Sequence, residues 1–302
     1  MGEISIGRAL GAGFSLIRRH VGAFIVWIGV YILVGVLPQF GIMALMIPNY
    51  EKLVQGVGAG PGHTLDPQLM QTQMQMAQIG PLSWLASIVV QTLLLSAAYR
   101  AVLFPQDKAF FYLRLGVREL WLALVCFVLL IGFVVVMFLV MFPVALLGGI
   151  LAAVGGPAAG ALLSFATITV GFAVMIWLAL RMSLAPPMTF AERNFRLFES
   201  WQATRGHAGK MFGVAAVIVA MLFAVEIAVM LIALSAAGGP TALASLFKTG
   251  ANPAEIMARM LPIAAVAGLV LSPLAVAFYA LFGGAWAQMY RDLFPAPEEV
   301  FS

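Results

Sequence analysis

Residues 120–148 read LWLALVCFVLLIGFVVVMFLVMFPVALLG and contain no charged side chain. A helix needs about 20 apolar residues to cross the roughly 30 Å hydrocarbon core of a bilayer, so this stretch predicts a transmembrane helix. Five further apolar runs of this kind lie at 20–46, 81–104, 161–183, 211–237 and 262–287. The sequence therefore predicts an all-α, polytopic membrane bundle of six transmembrane helices, forming a single integral membrane domain over residues 1–302.

The overall composition excludes a water-soluble globular protein. The chain has 302 residues, of which 63% are hydrophobic and only 9% are charged, and its mean hydropathy is +1.04. A soluble fold of this size needs far more polar surface than this sequence provides.

The basic residues fall on alternate sides of the predicted spans. The N-terminus and the connections after the second and fourth spans hold three, four and five of the 16 Lys and Arg residues, and the C-terminus holds one. Cytoplasmic segments carry such an excess, so we expect both termini to lie in the cytoplasm. This distribution favours membrane lipids as partners, with other membrane proteins as a further option, and does not favour nucleic acid.

The chain also shows a threefold internal pattern, with units at about 4–104, 107–183 and 189–293. Each unit consists of a cytoplasmic, interfacial amphipathic helix, an outward span and an inward span. The inward spans all close with an arginine followed by a proline four or five residues later, a combination that ends a helix at the membrane surface. These pairs are Arg100 with Pro105, Arg181 with Pro186, and Arg291 with Pro295.

Three segments predict the amphipathic helices. Ile6, Leu10, Phe14 and Ile17 form an apolar stripe in the first unit, and Asp107 is expected to open the second helix. Thr189 and Glu192 form a capping-box pattern that predicts a helix through about Arg205. We interpret these helices as elbows that hold the bundle in register, with partner docking or lipid sensing as the alternative. Their expected interfacial anchors are Arg100, Arg181, Arg193, Arg196, Trp201 and Arg205.

Glu226 is the principal candidate for a functional residue inside the membrane. It follows Lys210 by sixteen residues, which is about 24 Å along a helix. An ionisable group at this depth costs at least about 2.5 kcal/mol unless it is paired, protonated or hydrated. Two interpretations remain open: a proton or cation site facing a polar cavity, or a hydrogen-bonded carboxyl that joins helices. The candidate polar neighbours are Gln91, Thr92, Ser96 and Thr169.

The Ser272-Pro273 pair lies inside the sixth span. A proline there is typical either of a simple kink or of a broken helix that lines a transport site. The kink is the preferred interpretation.

A methionine-rich tract precedes the second span, where His63 is followed by Met70, Met74 and Met76. Thioethers at this spacing are able to hold Cu(I), but Met70, Met74 and Ala77 also form a helical stripe suited to resting on the membrane or the bundle. We favour the packing role and predict no metal and no cofactor.

No catalytic template is present in the sequence. It contains no paired-carboxylate cleft, no zinc-ligand spacing, no Walker-type loop and no nucleophile elbow. We therefore expect a protein that is not an enzyme.

Two short stretches carry a family resemblance. Arg181-Met-Ser-Leu-Ala-Pro186, Glu192 and Ser200-Trp-Gln-Ala-Thr204-Arg-Gly206, together with the closing Tyr290-Arg-Asp-Leu293, resemble a pattern in a group of bacterial six-span proteins. The group is named for the membrane part of some glycerophosphoryl diester phosphodiesterases. The resemblance implies a multi-pass protein of a bacterial cytoplasmic (inner) membrane, the triplicated layout and an interfacial structural role for the Ser-Trp stretch. It implies no catalytic residue, because hydrolysis in the fused members belongs to a separate soluble barrel.

These observations favour a non-catalytic inner-membrane scaffold or accessory protein that acts on lipids or membrane partners. The alternative is a small-molecule or lipid transporter, or flippase, that uses Glu226 and the kinked sixth span.

Overall fold

The computed structural model describes residues 3–42, 67–107, 109–236 and 253–295. Within these ranges the chain forms helices and turns, with no strand. Six segments are long and apolar enough to cross a membrane, so the predicted all-α, polytopic architecture is confirmed. They are Val21–Ile42, Leu85–Leu103, Phe110–Gly155, Ala158–Glu192, Ala208–Ile232 and Ala264–Leu293.

The described helices are numbered here in chain order. The first half contains α1 (Ile6–Arg19), α2 (Val21–Val30, continued by a π-helical turn at Tyr31–Val36), α3 (Pro67–Leu103), a 3-10 turn (Ala109–Tyr112) and α4 (Val117–Gly155). The second half contains α5 (Pro157–Met182), α6 (Ala185–Glu192), α7 (Leu197–Ala203), α8 (Ala208–Ala236) and α9 (Pro253–Leu293).

The centre of the bundle is built from α1, α3 and α9, which approach one another closely at small residues. A Cβ atom placed on Gly284 of α9 would lie 2.8 Å from the Cα of Gly13 in α1. Similarly, a Cβ on Gly283 would lie 2.6 Å from the Cβ of Ala98 in α3. Inside a bilayer, lipid tails are as apolar as the side chains, so no hydrophobic force drives helices together. Their association depends instead on close packing of this kind.

Helices α4 and α5 form a hairpin with glycines along its seam. A Cβ on Gly148 would meet the hydroxyl of Ser164 at 2.5 Å, and a Cβ on Gly160 would meet the Cβ of Ala152 at the same distance. The chain reverses at Gly156, which adopts a φ of 86°, and Pro157 then starts α5, as suits a first helical position. Few side chains of α4, α5 and α8 are buried, so these helices present a broad apolar outer surface.

The predicted amphipathic helix after Asp107 is wrong. The chain forms only the 3-10 turn there, with left-handed backbone at Phe110, Phe111 and Tyr112, and α4 begins at Val117. The turn is held because the indole N–H of Trp27 donates a hydrogen bond of 2.9 Å to the carbonyl of Phe111. Left-handed backbone is rare for residues other than glycine, so the sequence contains no signal for this turn.

The predicted continuous helix from Thr189 to Arg205 is also wrong. Helix α6 ends at Glu192, Arg193 is left-handed with a φ of 56°, and α7 starts at Leu197. The hydroxyl of Thr189 lies inside α6 and accepts a hydrogen bond of 3.2 Å from the backbone N–H of Arg196. That contact folds the chain back on itself instead of capping a helix start.

Helix α1 does form where the first amphipathic helix was expected. Its packed face is Ala9, Gly13 and Leu16, whereas Ile6 and Phe14 of the apolar stripe are exposed. The interfacial role of α1 and the threefold repeat remain predictions.

Candidate functional site

One end of the bundle collects most of the described charge. There α3 and α9 end close together, since Arg291 donates to the carbonyl of Val102 at 3.5 Å. Helix α8 begins nearby, with Lys210 lying 3.9 Å from Glu3. We call this the arginine-rich end.

A buried ion pair joins two helices at this end. Arg100 in the last turn of α3 is 2% exposed, and Glu119 in the first turn of α4 is 3% exposed. The guanidinium donates a hydrogen bond to the Glu119 carboxylate, and Asp107 lies 3.7 Å from the Arg100 Nε. The guanidinium of Arg100, one of the expected interfacial anchors, is therefore buried against an acidic partner on the next helix, and its anchoring role stays a prediction.

Sequence reasoning did not identify Glu119. One local signal was available, because an acidic residue in the first turn of a long apolar helix interacts favourably with the helix dipole. Its pairing with Arg100 depends on how α3 and α4 pack and is not visible in the sequence.

Aromatic rings lie beside the arginines of this region. The guanidinium carbon of Arg118 lies 3.8 Å from the ring centroid of Phe104, and that of Arg100 lies 5.9 Å from the ring of Phe190. Phe190 belongs to α6 and is fully buried. The cluster fastens α3, α4 and α6 together.

The residues that carry the family resemblance form a second cluster. The carbonyl of Arg181, at the end of α5, accepts hydrogen bonds from the hydroxyls of Ser200 at 3.0 Å and Thr204 at 3.2 Å. The Arg181 guanidinium lies 5.6 and 5.5 Å from the rings of Trp177 and Trp201. The Ser-Trp stretch thus ties α7 to the end of a span.

The remaining expected anchors lie on or near the surface. Arg196 pairs with Glu192 at 2.8 Å and Glu199 at 3.0 Å, while Arg193 and Arg205 are exposed. Two hydrogen bonds lower the pKa of Glu199. The larger effect comes from its own backbone N–H and the next from the Arg196 side chain. The interfacial anchoring of these residues, and of Arg181 and Trp201, stays a prediction.

Glu226 lies on the outer surface of α8, and its side chain is exposed. Within the described residues, no hydrogen bond or ion pair joins its carboxylate to another side chain. Gln91 and Thr169 are also exposed, and the Thr169 hydroxyl donates 2.8 Å to the Phe165 carbonyl of its own helix. These polar residues therefore do not converge on Glu226.

Thr92 and Ser96 are buried on α3. The Ser96 hydroxyl donates to the carbonyl of Leu93 in the same helix at 2.9 Å. Helix α8 packs instead on α1, α5 and α9, so the predicted contact between Glu226 and these two hydroxyls does not form.

Helix α9 runs without interruption through Pro273, so the broken-helix interpretation is wrong. Proline has no N–H and therefore leaves the carbonyl four residues earlier without its usual partner. That carbonyl belongs to Leu269, and the buried Ser272 hydroxyl donates to it at 2.7 Å. Ser272 thus supplies the hydrogen bond that Pro273 cannot donate to this carbonyl.

The arginine-rich end also contains a cavity of about 430 Å³, which we call the basic cleft. Its walls come from α1, the end of α3 and the end of α9. Its polar lining residues are Arg8, Ser15, Arg19, His20, Gln288 and Arg291. Sequence reasoning missed the cleft because the three contributing segments are far apart in the chain.

Groups of three or more His, Cys, Asp or Glu side chains suited to a metal do not occur among the described residues. His63 of the methionine-rich tract lies outside those residues, and Met74 is exposed. The copper interpretation remains untested.

No protein-family model, curated protein or solved structure matches this chain. The fold by itself defines the class, a multi-pass helical protein of membrane type. The resemblance to the six-span group remains an expectation.

Proposed function

We propose that this chain is a non-catalytic scaffold or accessory protein of a bacterial cytoplasmic membrane, which acts on lipids or membrane partners. Its arginine-rich end would face the cytoplasm, in line with the alternation of basic residues. The observation that carries the proposal is the outward position of Glu226, Gln91 and Thr169, all three exposed on the bundle surface.

A transporter needs polar groups from several helices that face a shared path across the membrane. Here the three exposed candidates face outward, and α9 continues through Pro273 with the Leu269 carbonyl satisfied. The outward position of Glu226 and the continuity of α9 therefore support a structural role better than they support transport.

The exposed carboxyl of Glu226 also supports a membrane partner. Facing lipid, an ionisable group at this depth costs at least about 2.5 kcal/mol. A hydrogen-bond donor on another membrane helix would remove much of that cost, so Glu226 is the residue at which we expect a partner to bind.

The test compares Glu226→Gln and Trp201→Ala in a strain from which the native gene is deleted. The glutamine keeps a hydrogen-bonding side chain, whereas the alanine removes a ring of the Arg181 cluster. We expect Glu226→Gln to be folded and to complement the deletion, because an amide serves a partner contact as well as a carboxyl does. Trp201→Ala should reduce complementation and alter the lipids or proteins that co-purify.

A folded Glu226→Gln protein that fails to complement would instead favour transport, because only proton or cation movement needs the titratable group. A reporter fused after Ser302 tests the orientation and should be found in the cytoplasm. Its appearance on the other side would contradict the proposed topology.

A further inference from the structure

We propose that the basic cleft binds the phosphate group of an anionic phospholipid, an inference that rests on the proposed function and specifies its lipid chemistry. The cleft encloses about 430 Å³, and three arginines, Arg8, Arg19 and Arg291, line it. Ser15, His20 and Gln288 add hydrogen-bonding groups. This volume and this lining suit a phosphate ester, whose oxygens accept hydrogen bonds from several donors.

Among the described residues, the charged side chains at the cleft are predominantly basic. Asp292 is the carboxylate beside it, and its Oδ2 lies 3.6 Å from the guanidinium of Arg8. The same carboxylate accepts a hydrogen bond of 2.9 Å from the Gln288 side chain. Arg19 is exposed at the end of α1, and Arg291 donates to the neutral carbonyl of Val102. Among the described charged residues that line or flank the cleft, three are arginines and one, Asp292, is acidic.

Arginine is the residue best suited to this ligand. Its planar guanidinium makes two parallel hydrogen bonds to a phosphate, which adds geometric selectivity to the charge. The helices themselves oppose an anion here, because α3 and α9 both end beside the cleft, and carbonyl oxygens at a helix end carry partial negative charge. Anion binding in this cleft therefore depends on the arginine side chains.

The position of the cleft favours a lipid over a free phosphate. Ala101 and Val102 line it and belong to the last turn of the span Leu85–Leu103. The exposed side chains of Val21 and Ile25 give the adjoining α2 an apolar surface. A headgroup in the cleft would leave its acyl chains along that surface, as in the basic pockets between transmembrane helices that hold anionic headgroups.

The experiment measures lipid binding to the delipidated, full-length protein in detergent by native mass spectrometry. The probes are dioleoyl phosphatidylglycerol, dioleoyl phosphatidylcholine and inorganic phosphate. We expect the wild-type chain to prefer phosphatidylglycerol, and Arg19→Gln/Arg291→Gln to lose roughly 25-fold of that affinity, at about fivefold per arginine. The matched control, Arg18→Gln/Arg205→Gln, removes two exposed charges outside the cleft and should bind like the wild type.

A second pair of variants leaves the charge unchanged. Gly11 lines the cleft, Gly7 lies one turn away on the same helix outside it, and a Cβ on either glycine meets nothing within 4 Å. We expect Gly11→Phe to block phosphatidylglycerol and Gly7→Phe to leave its binding intact. These two glycine variants test lipid binding in the cleft even if the double arginine variant does not fold.

Three results would overturn the proposal. They are an equal loss of binding in both double arginine variants, wild-type binding by Gly11→Phe, or displacement of the lipid by millimolar inorganic phosphate. The last would assign the cleft to a free phosphate. None of these results bears on whether Glu226→Gln complements the deletion. Failure of the lipid-binding proposal is therefore distinguishable from failure of the proposed function.

Discussion

Arg100 and Glu119 form a hydrogen-bonded ion pair that is almost entirely buried between α3 and α4. A buried pair of this kind adds little stability over apolar side chains of similar size, because both charges lose their hydration. Loss of one partner alone is costly, since the other charge is then buried without compensation.

The first prediction concerns this pair. Glu119→Ala should lower the free energy of unfolding by up to about 3–5 kcal/mol, because the buried Arg100 charge loses its hydrogen-bonded partner and keeps only the more distant Asp107, at 3.7 Å. The measurement is thermal unfolding in a mild detergent, and Arg100→Met/Glu119→Leu should recover much of the loss. Glu199→Ala is the control, since it breaks an ion pair at the surface and should change stability by no more than about 1 kcal/mol. A stability close to wild type for Glu119→Ala would contradict the burial of this pair.

The second prediction concerns the contact between Gly13 and Gly284. Gly284→Ala places a methyl group 2.8 Å from the Gly13 Cα, and backbone cannot rotate aside as a flexible side chain does. We expect a loss of about 1–3 kcal/mol or more, as for other overpacked sites, seen as a lower melting temperature in detergent.

Gly7→Ala serves as its control, because the added Cβ meets nothing within 4 Å. The substitution should be neutral or slightly stabilising, since alanine favours a helix over glycine. Equal losses at both sites would mean that α1 and α9 do not pack as described.

The third prediction concerns the carbonyl of Leu269 in α9. Ser272→Ala removes its donor inside the span and should cost about 0.6 kcal/mol, the average for hydrogen bonds within membranes, and no more than about 1.7 kcal/mol. Ser272→Ala/Pro273→Ala should restore the loss, because an alanine at 273 supplies the missing N–H. A double-mutant cycle in detergent measures this coupling, and additive effects would disprove it.

The fourth prediction concerns pH. The pKa of Glu199 is lowered in the folded protein, so its stabilising effect is present above its unfolded pKa of about 4.3 and is lost as the pH falls through the lower folded value. Fluorescence of Trp201, in the same short helix, should report this loosening on acidification. Glu199→Gln should flatten the change within that window, and an unaltered pH profile would show that the carboxylate does not hold α7.

The spans were predictable because membrane insertion depends on local composition: a run such as 120–148 is apolar whatever it packs against. The role of Arg100 was not predictable, because an arginine before a proline at the end of a span is usually interfacial. Here the acidic partner is on the next helix. The break at Arg193 was hidden for a different reason, since Thr189 and Glu192 match a helix start that a contact with Arg196 overrides.

The candidate site was less accessible to sequence reasoning. Glu226 was identified by its depth, but the side of α8 on which it lies depends on how the helices pack. The basic cleft combines arginines from opposite ends of the chain, Arg19 and Arg291. Each looks like an ordinary flanking charge until α1 docks on α9.

The docking of α1 on α9 also has a consequence for biogenesis. The ribosome makes α1 first among the described helices and α9 last, so the central packing can close only after α9 has been made. Until then, the face of α1 around Gly13 lacks its partner on α9. A nascent chain stalled before α9 would expose it and become a substrate for membrane proteases.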